Sequence, residues 1–333
     1  MIKPNNPKML VTGGGGFLGY AIVRRLVDMG CDVTSFSRRF YPELEALEVG
    51  QIQGDIRDKL AVEKALIGID VVFHVAAKPG VWGKYADYYD VNVTGTLNII
   101  EGCIFNKVSK LIYTSSPSVV FDGNDMEGVD ESALFPKRFH GHYPKTKAIA
   151  EQAVASAASD QLRSIALRPH LIWGPRDNHL APRIIARAKR LVRVGNGENR
   201  VDTIYIDNAA EAHILAAMAL DNHPNFSGNV YFISQDCPVR LWDMVNAILK
   251  VAGHPPVKRS VSRRTAWLIG ALFEAVYTLF RIKAEPQMTR FVANELATSH
   301  FFNIDAAKRD LRYKPTVSTE EGLKRLEAWL KEK

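Results

Sequence analysis

The hydrophobic pattern along the first two thirds of the chain alternates between two periods. KMLVT at 8–12 is a short apolar run, as a buried strand is. In FLGYAIVRRLVDMG, apolar Phe17, Leu18, Ala21, Ile22 and Leu26 recur at helical spacing, and Gly30 supplies a stop. DVTSFS at 32–37 and GQIQGD at 50–55 read as the next strands. DVVFHVAA at 70–77 and KLIYTSS at 110–116 are nearly continuous apolar runs, which suits parallel strands covered on both faces. With helical segments between them, the runs predict an α/β fold built on a doubly wound, Rossmann-type parallel sheet. Beyond about Gly174 the rhythm gives way to polar loops, short helices and proline breaks. That change predicts a smaller, discontinuous α/β lobe. Residues 1–174 are read as mainly the dinucleotide-binding domain and 175–333 as mainly a substrate lobe, interleaved, with some segments returning to the main sheet.

Composition narrows the picture. The 333 residues are 47% hydrophobic and 24% charged, which gives a sizeable core and an ordinary soluble surface. The net charge of +7 is scattered rather than blocked. It suits an anionic small molecule or an anionic membrane surface better than nucleic acid. Cys31, Cys103 and Cys237 are far apart and lack metal-ligand spacing, as expected in a reducing compartment. The polar opening MIKPNNPK carries no signal-peptide pattern, and a cytoplasmic location is expected.

The glycines after the first strand carry the first chemical signal. Gly13, Gly16 and Gly19 stand as TGxxGxxG between a strand and a helix. Such a turn lets a pyrophosphate approach the backbone and meet a helix N-terminus. An NAD site usually has a carboxylate at the end of the second strand. Here Ser37 takes that place and Arg38 and Arg39 follow, which favours a 2′-phosphate and hence NADP(H) over the alternative of two solvated arginines. Asp55 and Ile56 are placed to flank the adenine, although Gly-Asp also makes ordinary turns.

The second signal is YPKTK. On a helix Tyr143 and Lys147 share a face, so an ammonium is expected to lower the pKa of a phenol that exchanges a proton with a substrate oxygen. Upstream, LIYTSSPSV ends in hydroxyls, of which Ser116 is the candidate partner and Ser115 and Ser118 are alternates. No His/Cys cluster offers a metal site. His140 and His142 in FHGHYPK lack further ligands and read as loop histidines.

TGGGGFLG, Asp55, HVAA, VNVTGT, YTSS, YPKTK and RPHLIWGP, in that order, resemble the extended short-chain dehydrogenase/reductase family. The resemblance implies Ser116, Tyr143 and Lys147 as the catalytic set, with Lys147 also bonding the nicotinamide ribose. It implies Phe17, Leu18, Ala76, Ala77, Pro169 and Ile172 as further cofactor contacts, and leaves Asn92 either in the chemistry or bracing the sheet. VDTIYIDNAAEAH and EPQMTRFVANELATSHFFNIDAAKRDLRYKP resemble the 3β-hydroxysteroid dehydrogenase branch. FYPELEALEVGQIQGD, AAKPGVWG and LRPHLIWGP resemble the 2-alkyl-3-oxoalkanoate reductase group of bacterial olefin biosynthesis. The implied reaction is NADPH-dependent reduction of a long-chain 2-alkyl-3-oxo acid. The implied partners are a second copy of the chain and other olefin-pathway enzymes. A sterol dehydrogenase is the rival enzyme reading, and a non-catalytic NADP-binding regulator or scaffold is the rival of another class, one that should lack the Tyr/Lys pair.

Arg138, Arg176 and Lys78 are candidates for a substrate carboxylate. TAWLIGALFEAVYTLF at 265–280 has three readings. It is a core helix, a lid over an alkyl chain, or an interfacial helix giving peripheral membrane contact.

Overall fold

The computed structural model describes residues 7–332; most of the opening MIKPNNPK lies outside them. The apolar runs form strands β1 (Lys8–Thr12), β2 (Asp32–Ser37), β3 (Gly50–Gln53), β4 (Val71–His74), β5 (Lys110–Thr114), β6 (Met126–Val129) and β7 (Arg163–Pro169), followed later by β8 (Arg200–Val201), β9 (Val230–Ile233), β10 (Val239–Arg240) and β11 (His300–Phe302). Seven of these make one parallel sheet in the order β9-β7-β5-β4-β1-β2-β3. The order reverses between β1 and β4, and the crevice of a doubly wound sheet opens at that point. Strand interiors such as Leu10, Val11, Val72, Phe73, Leu111 and Ile112 are buried, as two covered faces require. A second sheet, β10-β8-β11-β6, joins β6 of the first half to strands of the second.

Helices α1 (Phe17–Asp28), α2 (Gly95–Phe105), α3 (His142–Ser156) and α4 (Ile206–Asn222) cover the main sheet. Gly30, at φ +76°, ends α1 where the pattern placed its stop. Arg24 and Arg25 of α1 pair with Asp207 and Glu211 of α4 at 3.0 and 2.8 Å.

Past Gly174 short helices occur as expected, such as Leu180–Ala186 and Asp305–Asp310, but two helices are long. α4 and α5 (Arg263–Leu279) each run seventeen residues. α5 also corrects one reading of the apolar segment: it is not a core helix. Only Ala266 and Gly270 are buried on it, while Leu268, Leu272 and Leu279 are 63%, 61% and 76% exposed. The reason lies on its inner face. A Cβ on Gly270 would come within 2.6 Å of the Thr289 carbonyl carbon, so small residues let α5 press on the segment leading into α6 (Arg290–Glu295). Glu274 then accepts from the Arg290 amide at 2.7 Å and pairs with its guanidinium at 2.6 Å. Among the described residues no helix is long and apolar enough to cross a membrane.

Candidate active site

The glycine loop joins β1 to α1 at the sheet crevice. Gly13 has φ +70° and lies against Ala76, where a Cβ would come within 3.2 Å of the Ala76 Cα. A Cβ on Gly19 would meet the Gly13 carbonyl oxygen at 2.1 Å, so the loop and the helix can approach only as glycines. No side chain caps the N-terminus of α1, whose first residues are Phe17 and Leu18. This leaves a backbone cradle of the kind that holds a pyrophosphate.

The adenine end lies beyond β2 and β3. Ser37 is buried and bonds Ser35 at 3.2 Å. Arg38 is exposed, and among the described residues its guanidinium makes no hydrogen bond or ion pair. Asp55 accepts from Arg57 through both carboxylate oxygens, at 3.0 and 2.7 Å, which holds it below the usual carboxylate range. Ile56 is fixed by Asn98 Nδ2 donating to its carbonyl at 2.9 Å.

A buried polar chain braces the crevice. Thr12 Oγ1 accepts the Val75 and Ala76 amides, both at 3.0 Å, so its proton goes to His74 Nδ1 at 2.8 Å. His74 Nε2 therefore carries the ring proton and donates to Thr96 at 3.0 Å, and Thr96 donates to the Asn92 carbonyl at 2.7 Å. Burial holds His74 neutral, with its pKa down to about 3. Asn92 lies in a π-helical turn, Asp90–Thr94, before α2. Its carboxamide accepts from Lys78 N at 2.7 Å and donates to Lys78 O at 3.1 Å and Thr146 Oγ1 at 3.0 Å. Asn92 thus clamps the Ala76–Lys78 turn to α3. Thr12, Thr96 and Thr146 are the members that sequence reasoning missed; Thr12 is a lone hydroxyl at the end of an apolar run, and Thr96 and Thr146 sit inside motifs read for other residues.

α3 carries Tyr143 and Lys147 one turn apart. The Ser116 hydroxyl reaches the Tyr143 phenol, but the expected lowering of its pKa is corrected: burial pushes the phenol up to about 12, against the Ser116 bond. Ser118 lies 2.9 Å from Ser116 and supports it. Lys147 Nζ donates to the Thr114 carbonyl at 2.5 Å and sits 4.1 Å from the Tyr113 ring centre. Burial lowers its pKa to about 7, and Glu151 opposes that shift. Glu151 is itself held by Arg168 through two bonds, at 3.0 and 2.6 Å, with both side chains almost fully buried. Pro169 ends β7 beside the crevice, and Ile172 pairs with Ile204.

A cleft of about 650 Å³ lies between the Asp122–Asn124 loop, His140, and the start of α5, with Trp267 and Leu268 as its apolar wall. Of the carboxylate candidates, Arg176 pairs with Glu43 at 3.1 Å and Lys78 with Asp87 at 3.8 Å. His140 is bonded to the Asp122 carbonyl, and among the described residues no group of three or more His, Cys, Asp or Glu is placed to hold a metal ion.

Residues 10–263 match the 3-beta hydroxysteroid dehydrogenase/isomerase family. A 2-alkyl-3-oxoalkanoate reductase of Shewanella oneidensis is 49% identical over 330 residues, covering 96% of this chain and 85% of that protein. A decarboxylating sterol-4-alpha-carboxylate 3-dehydrogenase of Schizosaccharomyces pombe is 34% identical, covering 98% of each chain. The solved structure of a UDP-glucuronic acid 4-epimerase from Bacillus cereus in complex with NAD superposes with a TM-score of 0.75 at 25% identity, covering 98% of this chain and 99% of that one. The glycine cradle and the bracing network fit the nicotinamide cofactor that these likenesses support. The chain belongs to the 3-beta hydroxysteroid dehydrogenase/isomerase family and is an oxidoreductase.

Proposed function

We propose that this protein reduces the 3-keto group of a long-chain 2-alkyl-3-oxoalkanoate to the 3-hydroxy acid with NADPH, as a step of olefin biosynthesis. The observation that carries the reading is the 49% identity to a 2-alkyl-3-oxoalkanoate reductase across nearly the whole chain. The site supports it. Bound NADPH supplies the hydride for the ketone carbon. Tyr143 donates its proton to the developing alkoxide, and its raised pKa keeps that proton in place at neutral pH. Ser116 donates a hydrogen bond to the same oxygen. Lys147, held by Thr114, orients the nicotinamide ribose. Gly13, Gly16 and Gly19 take the pyrophosphate, and the free Arg38 takes the 2′-phosphate with no carboxylate at position 37 to repel it.

The sterol reading has its own support in the Schizosaccharomyces pombe relative. Both relatives' names describe a carboxylate on the carbon next to the reacting one. They differ in the body of the substrate, a flexible chain or a rigid ring system.

The cleft beside α5 discriminates the two. With Trp267 and Leu268 as its wall, each methylene of a chain laid there gains about 0.8 kcal/mol, about fourfold in kcat/KM. The specificity constant is expected to rise over several carbons and then level off. Leu268→Asp should lower it for long chains and spare short ones. Leu268 is largely exposed, so folding should survive, with circular dichroism as the control. A flat wild-type series, or equal losses for short and long chains, would contradict the alkyl-chain assignment.

A further inference from the structure

Leu272, Leu279 and Phe280, along α5 and at its end, take no part in the site described above. Leu272 and Leu279 lie four and eleven positions after Leu268, so the three share one face of the helix, opposite Ala266 and Gly270. Phe280, just past the helix end, is exposed as well. A surface helix of a globular protein turns such an apolar stripe toward the core. This one turns it away. Glu274, the single acid of the helix, faces inward and pairs with Arg290 at 2.6 Å, so the stripe carries no negative charge.

Both ends of α5 are basic. Before its start, the Arg193 amide donates to the Arg259 carbonyl and the Gly195 amide to the Val261 carbonyl, each at 2.9 Å. This pairing lays RAKRLVR (187–193) beside KRSVSRR (258–264), each with four cations and no acid. Lys189, Arg190, Lys258, Arg259 and Arg264 are exposed. Acids close by in sequence are engaged elsewhere: Glu198 pairs with Arg240 at 2.8 Å and Glu285 with Arg183 at 3.2 Å. At the far end, exposed Arg281 and Lys283 alternate with Phe280 and Ile282.

These charges select the occupant of the stripe. Two copies of the chain meeting through α5 would set cations against cations in either orientation, because both ends carry them, and like charges placed together oppose association. A free alkyl chain would cover the stripe and leave the cations unused. An anionic bilayer meets both demands at once, with its acyl boundary for the stripe and its headgroups for the cations.

We propose that α5 docks this protein on an anionic lipid bilayer, lying in the plane of the interface with Leu272, Leu279 and Phe280 among the lipids and the basic ends against the headgroups. The docking does not depend on the substrate reading above. On that reading it has a use: Leu268 belongs both to the stripe and to the cleft wall, so docking sets the cleft at the surface where a long-chain ketone partitions.

The test is flotation of the whole chain with vesicles of phosphatidylglycerol and phosphatidylcholine in equal parts, beside vesicles of phosphatidylcholine alone. The protein should float with the anionic vesicles and stay largely free of the neutral ones, and added salt should release it. Leu272→Asp with Leu279→Asp should weaken anionic-vesicle binding about 100-fold. Leu60→Asp with Ile67→Asp makes the same change of net charge at two exposed apolar positions elsewhere and should bind as the wild type does. Circular dichroism reports folding. If the α5 pair fails to fold, Lys189→Gln with Arg190→Gln decides in its place, with an expected loss of about 25-fold, or about fivefold per charge. No binding by the wild type, equal binding to both kinds of vesicle, or equal losses from the two Asp pairs overturns the proposal. So does an α5 pair that splits a dimer, read by light scattering, without weakening vesicle binding, because the stripe would then belong to a second copy.

Discussion

Tyr143→Phe is expected to lower turnover by about 10²–10⁴-fold, the usual worth of a positioned general acid. NADPH affinity should be nearly unchanged. The substitution removes one oxygen, the one Ser116 touches, and leaves the ring that fills the start of α3. The glycine loop, Arg38 and Asp55 are on other elements and should not sense it. Steady-state turnover, set beside a fluorescence titration with NADPH, reads the two effects separately. Turnover close to wild type would remove Tyr143 from the chemistry. Loss of both turnover and binding would make it a structural residue.

Arg168→Leu is expected to have the largest effect on stability, about 3–5 kcal/mol, because it strands a carboxylate inside the protein. Glu151 is only 2% exposed and Arg168 4%, and they share two hydrogen bonds. The guanidinium also lies over the Phe232 ring, 5.0 Å from its centre. Removing both charges together, as Arg168→Leu with Glu151→Leu, should recover much of the loss, since the unpaired charge and not the missing attraction dominates the cost. Urea unfolding of the wild type, both single variants and the double variant measures this. A loss under about 1 kcal/mol for Arg168→Leu would place the pair in the class of surface ion pairs and contradict its burial. The pair also bears on chemistry, because Glu151 opposes the burial that lowers the Lys147 pKa.

What was legible in the sequence was local. The glycine spacing, the Gly30 stop and the one-turn separation of Tyr143 and Lys147 each depend on a few consecutive residues. Period alone therefore placed the strands β1 to β5 and the helix α1, and the Tyr/Lys spacing marked α3. The bracing network was not legible, because Thr12, His74, Asn92 and Thr146 meet only after four elements have packed.

The apolar segment shows a different limit. Hydrophobicity suggested that its bulky residues face inward. Burial instead follows the small positions Ala266 and Gly270, with the part-buried Glu274 four further on, because close helix contact and the Arg290 pairing need them. That spacing was present in the sequence, but its meaning depended on Thr289 and Arg290 lying opposite.

The central claim is the pairing of substrate and cofactor, and one measurement tests it most directly: oxidation of NADPH and of NADH by the wild-type protein with a long-chain 2-alkyl-3-oxo acid, beside a steroid 3-ketone. The account predicts rapid NADPH oxidation with the 3-oxo acid, slower oxidation of NADH, and little reaction with the steroid. Preference for the steroid ketone, or equal use of NADH, would contradict it.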